Sequence, residues 1–100
     1  MKIIDDVLKS RGEDYGEFIN HAALCQKLKK SMRSHKGWSE MPSDVKESLE
    51  MIQHKIARVI NGNECVVDHW TDISGYARLV EKRMDQVLKP YKQAKKQLEK

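Results

Sequence analysis

The chain has 100 residues, 39% of them apolar and 34% charged, which suffices for one modest core and not for two. The longest apolar run is far short of a bilayer span and no secretory signal opens the chain, so a cytoplasmic protein without membrane contact is expected. The formal charge is +4, and it is uneven: Lys82 to Lys100 holds seven basic residues and two acidic ones, a tail suited to nucleic acid or an acidic partner or simply to a solvated helix end.

Apolar residues recur at helical spacing along the whole chain. Ile3, Ile4, Val7 and Leu8 predict a short first helix over about 2–9, ended by a break at Arg11-Gly12. Phe18, Ala22, Cys25, Leu28 and Met32 predict a second over about 17–35. The stretch from Ser34 to Pro42 reads as a loop plugged by Trp38. Val45, Leu49, Ile52, Ile56 and Val59 predict a third helix over about 43–60, and Asn61-Gly62-Asn63 a turn. Positions 66, 70, 73, 77, 80, 84, 87 and 91 carry a fourth helix over about 66–98, weakened at Pro90. No segment alternates with period two for long enough to suggest a sheet. The fold class is therefore all-α: a small antiparallel bundle of about four helices in one domain, with a long C-terminal helix and a basic extension over about 84–100. Two long apolar stripes on so small a chain predict at least a dimer.

The polar residues can then be placed. A short turn sets the third and fourth helices side by side and antiparallel. At 100° per residue, Lys55, Arg58, Asp72 and Tyr76 fall on matching flanks and line one groove edge, with Arg83 further along. Two cations suit a phosphate or carboxylate, and Tyr76 or Trp70 can stack on a base. The competing reading is an Arg58–Asp72 salt bridge with Trp70 and Tyr76 closing the bundle edge.

A second dense string is Arg11-Gly12-Glu13-Asp14-Tyr15-Gly16. Its glycines permit a tight backbone. Asp14 either caps the helix that follows or belongs to a loop that brings Arg11 and Tyr15 to a ligand. Glu47 and Glu50, with Glu64, Asp68 and Asp72, are an alternative magnesium set, although Glu47, Glu50 and His54 fall on the expected solvent face. His21, His35, His54 and His69 show no zinc spacing. Cys25 and Cys65 show no basic partner on their own helix faces and read as reduced thiols. No cofactor is expected apart from that magnesium alternative.

Three of these strings, Arg11 with Asp14-Tyr15-Gly16, Lys55-Ile56-Ala57-Arg58, and Trp70 to Ala77, resemble a family of small phage and prophage proteins of uncharacterised function. The resemblance spans about residues 8 to 82. It implies a phage protein acting in the cytoplasm of an infected bacterium, an all-α fold, and a single site formed by Arg11, Asp14, Tyr15, Lys55, Arg58, Trp70, Asp72 and Tyr76. The expectation is a non-enzymatic accessory protein binding a nucleotide-like or phosphate-bearing ligand, as an anti-defence protein sequestering a host signal would. More distantly, Glu47-x-x-Glu50 is similar to half the motif of the all-α nucleoside triphosphate pyrophosphohydrolases of the MazG type. The pairs that follow here, Glu64/Asp68 and Asp68/Asp72, are spaced i,i+4 rather than i,i+3. That likeness implies a magnesium-dependent pyrophosphohydrolase as the alternative. A third reading is an inhibitor of a host protein, or a nucleic-acid binder, acting through the basic tail.

Overall fold

The computed structural model describes residues 2–98, with side chains described from 3 to 88. Four helices follow one another: α1 (Lys2–Tyr15), α2 (Phe18–Arg33), α3 (Ser43–Asn61) and α4 (Val67–Leu98). Their bounds match expectation except at α1. The break expected at Arg11-Gly12 does not occur there. The helix runs on to Tyr15, where Gly16 takes a φ of +77° and its N–H still donates to the Gly12 carbonyl (2.9 Å). A single helical glycine costs about 1 kcal/mol, which is not enough to end a helix. The left-handed conformation at Gly16 is what ends it.

Ser34 closes α2, its N–H on the Lys30 carbonyl (3.0 Å) and its hydroxyl on the Ser31 carbonyl (3.0 Å). Two ion pairs set the direction of the next hairpin. Lys55 meets Asp72 near the turn (2.9 Å), and Asp44 meets Arg83 at the far end, so α3 and α4 are antiparallel. Arg33–Glu50 (2.7 Å) and the approach of Cys25 to His54 give the same relation between α2 and α3. Helix α4 runs unbroken past Pro90. It has 32 residues against 19 in α3, or about 48 Å against about 28 Å, so its last turns project beyond the bundle. The basic tail expected over 84–100 falls largely on residues 89–100, whose side chains lie outside those described. No helix among the described residues is long and apolar enough to cross a membrane.

The expected packing of the stripes is corrected in one respect. Helix α3 lies between two neighbours, and its polar flanks face both of them: Glu50 and His54 toward α2, Asp44 and Lys55 toward α4. Its apolar stripe is left between the two contacts. None of Val45, Leu49, Ile52, Ile56 and Val59 is buried, and Leu49 and Ile56 are 38% and 40% exposed. Among the described residues the buried side chains are Cys25, Ala57, His21, Ser48, Gln53 and His69. Trp38 is half-buried and borders an apolar groove with Met32, Met41, Leu49, Ile52 and Ile56. Helix α1 is tied down at its C-terminal end, and Ile3, Ile4, Val7 and Leu8 are all exposed.

Candidate functional site

Two of the glycine-bearing strings lock into each other. Asn61, the last residue of α3, donates through Nδ2 to the carbonyls of Tyr15 (2.9 Å) and Glu17 (3.0 Å). The Asn63 N–H donates to the Asp14 carbonyl (2.8 Å). Gly16 and Gly62 let the two backbones close to this distance: a Cβ at Gly16 would strike the Asn61 carbonyl, and one at Gly62 would strike the Asp14 carbonyl. The clamp turns Tyr15 toward α3. The Arg58 guanidinium lies 4.5 Å from the centre of the Tyr15 ring, and the His69 ring packs against the same tyrosine at 5.2 Å. His69 is 1% exposed, and its Nε2 makes no hydrogen bond.

Beside this clamp the end of α1, the start of α2 and the middle of α3 enclose a cleft of about 670 Å³. Arg11, Tyr15, Phe18, His21, His54 and Arg58 line it, with Lys9 adding a cation and Glu13 and Glu17 two carboxylates. Phe18, expected in the core from its place on the α2 stripe, is 79% exposed at the cleft. No side chain caps the start of α2, so its free N–H groups and positive dipole end adjoin the same space. Among the described residues neither Arg11 nor Arg58 is in an ion pair. Arg58 is held by stacking on Tyr15 instead.

The floor of the cleft holds a cluster that sequence reasoning missed. His21 Nε2 lies 3.3 Å from Cys25 Sγ, one turn along α2, and His54 Nδ1 approaches the same sulfur to 3.8 Å. The expectation that Cys25 has no basic partner on its own face is thus overturned, and the i,i+4 spacing of His21 and Cys25 was the available signal. The two imidazoles meet edge to face at 4.6 Å. Burial, reinforced by the Arg58 charge, lowers the His21 pKa and brings that of His54 down to about 4. His69 is lowered for the same first reason. Burial raises the Cys25 thiol, opposed by Lys29, Gln53 and Arg58. The Gln53 amide sits beside it without a close hydrogen bond of its own.

These shifts set a pH dependence. Above the unfolded histidine value of about 6.5 both states are neutral and nothing is lost. Between there and about pH 4 the unfolded chain takes up protons that the folded chain refuses, so stability falls. Melts of the metal-free protein should show Tm dropping from pH 7 to pH 4.5, and His54→Gln should flatten the slope. An unchanged slope in that variant would remove the assignment.

The remaining expected site residues lie apart from the cleft. Lys55 pairs with Asp72, and this pair lowers the Asp72 pKa. The anticipated Arg58–Asp72 bridge is therefore replaced by Lys55–Asp72. Trp70 is 53% exposed and donates through Nε1 to the Glu64 carbonyl (2.9 Å), closing the α3–α4 turn. Tyr76 is half-buried further along α4. Asp14 contributes its backbone carbonyl to the clamp rather than capping α2, whose N-cap is Glu17. In the alternative magnesium set, Glu50 is engaged by Arg33 and Asp72 by Lys55. Among the described residues the grouping of three potential metal ligands is His21, Cys25 and His54, not carboxylates.

Comparison with protein-family models, with curated proteins and with solved structures finds no match for this chain.

Proposed function

We propose that this chain is a phage accessory protein that binds a nucleotide-like, phosphate-bearing ligand in the α1–α2–α3 cleft without turning it over. Arg58 carries the reading. Its guanidinium is fixed over Tyr15 at the cleft wall and has no carboxylate partner among the described residues. A fixed, unpaired guanidinium is preorganised for bidentate contact with phosphate. Arg11, Lys9 and the uncapped start of α2 add positive potential on the same space. Phe18 offers an open ring on which a base can stack. Lys55 and Asp72 pair with each other away from the cleft, and Trp70 closes the α3–α4 turn. In an infected host, such binding would withdraw a nucleotide signal.

A thermal-shift panel of mono-, di- and cyclic nucleotides tests this. A ligand at a hundred times its Kd contributes about 2.7 kcal/mol, which for a chain of this size raises Tm by at least about 10 °C. Arg58→Ala should abolish the rise. No rise with any nucleotide in the wild type would overturn the reading.

We also infer that the working unit is a dimer of this chain. The accessible surface is 8110 Å², against about 5,900 Å² for a compact monomer of 11.7 kDa. The radius of gyration is 18.7 Å against about 13 Å for a compact domain of 100 residues. The excess, about 2,200 Å² per chain, is more than the roughly 800 Å² that each partner contributes to a standard interface, and the half-open stripe of α3, with Leu49 and Ile56, offers apolar surface to a second copy. Sedimentation at micromolar concentration should return a dimer.

A further inference from the structure

We propose that His21, Cys25 and His54 form a binding site for one divalent transition-metal ion, zinc above all, set in the floor of the cleft. The site goes beyond the ligand reading and stands independently of it.

The three ligand atoms lie within 4.8 Å of one another. In tetrahedral zinc, bonds of about 2.3 Å to sulfur and about 2.1 Å to nitrogen put those atoms about 3.5 Å apart. The two separations to Cys25 Sγ, 3.3 and 3.8 Å, bracket that value. Both imidazole nitrogens thus stand at a zinc-ligand separation from the sulfur, and all three atoms fall within 4.8 Å of one another. Two ligands share one face of α2 at i,i+4 and the third comes from the packed face of α3, so rigid elements hold all three.

The chemistry of the donors agrees. One thiolate and two imidazoles select zinc or a neighbouring transition metal and do not suit magnesium. The surroundings keep both imidazoles proton-free at neutral pH, the state in which they ligate. Binding replaces the Cys25 S–H bond by an S–metal bond and releases the proton to solvent. Burial raises the Cys25 thiol, so the bound metal has to displace that proton, and Lys29 and Arg58 offset part of the cost.

As a purely structural core, the cluster is poor. A thiol is a weak donor, 3.8 Å is long even for sulfur, and His21 Nδ1 is left without a hydrogen bond. Three protein ligands leave a fourth position open, as in zinc sites that bind an exchangeable oxygen. His21 and His54 both line the cleft, so that position is reached from the cleft. A zinc–thiolate centre carries one net positive charge, and a water or an anionic oxygen completes it there.

The test is a titration of chelator-treated protein with Co²⁺, followed by Zn²⁺. The wild type should bind one equivalent of cobalt, with the sulfur-to-cobalt charge-transfer band and the intense visible bands of tetrahedral cobalt, and one equivalent of zinc should erase them. Cys25→Ser and His54→Ala should lose both signals, whereas Cys65→Ser, which removes the exposed thiol, should keep them. Circular dichroism reports whether each variant is folded. If the Cys25 and His54 variants unfold, the Cys65→Ser spectrum alone decides which sulfur binds. Absence of a stoichiometric thiolate signal in the wild type overturns the proposal, as does a signal that disappears with Cys65→Ser.

Discussion

Gly16→Ala should lower Tm by at least about 10 °C, while Gly12→Ala, four residues earlier, should raise it slightly. Gly16 sits at a φ of +77°, where an L side chain costs about 1–2 kcal/mol. The added methyl would also meet the Asn61 carbonyl, forcing the ends of α1 and α3 apart. That separation breaks the two bonds from Asn61 and the bond from Asn63 to Asp14, each contributing about 0.5–1.5 kcal/mol. The sum, about 2.5–6.5 kcal/mol, is a large share of the stability of a small domain, and each kcal/mol moves Tm by about 4–8 °C. Gly12 has nothing within 4 Å of the added methyl and lies inside a helix, where alanine contributes about 0.5–1 kcal/mol of stability over glycine. Calorimetric melts of the two variants check both signs. Equal small effects would show that the clamp between the two glycine strings does not hold α1 in place.

That clamp marks a boundary between what was legible in the sequence and what was not. Helix existence and type could be read, because four segments keep a 3.6-residue period over several turns. The end of α1 could not, since Gly12 and Gly16 look alike as letters. Only contact with Asn61 decides which of them takes the left-handed conformation. The stripes of α3 and α4 were visible as stripes, but their period says nothing about what covers them. Helix α3 has neighbours on two sides and meets them through Glu50, His54, Lys55 and Asp44, so its aliphatic row was left partly open.

The site divides the same way. Arg11 and Tyr15 stand in one sequence string and Arg58 in another, and the structure brings these three to one cleft. The angular argument set Lys55, Arg58 and Asp72 on one edge, but it could not choose which cation takes the carboxylate. Lys55 does, and this leaves Arg58 to the tyrosine. His21 and Cys25 were one turn apart in plain view. Their third partner lies 29 residues beyond Cys25, and no local spacing pairs it with them. His54 looked solvent-facing because the apolar stripe was taken as the inner face of α3. Rotating that inner face toward α2 is what carries the imidazole inside.

The open stripe supplies the last prediction. Ile56→Glu should convert a dimer to monomers and make the remaining fold concentration-independent in its melting. In a two-fold interface each substitution enters twice. Leaving a carboxylate desolvated at the centre of an apolar contact costs at least about 1.5 kcal/mol per copy, hence about 3 kcal/mol per dimer. That corresponds to a weakening of more than about a hundredfold in Kd. Ile56 is already 40% exposed in the single chain, so the same change costs an isolated monomer little, and the variant should remain helical. Gln26→Glu, on an exposed position of α2, introduces the same charge away from the stripe and should leave the dimer intact. Sedimentation equilibrium read alongside circular dichroism separates dissociation from unfolding. A wild type that sediments as a monomer at tens of micromolar would mean that water, not a second copy, covers Leu49 and Ile56. Helix α3 would then carry its apolar row at a standing cost that Lys55–Asp72 and the other partly exposed ion pairs, each contributing less than about 1 kcal/mol, do not offset.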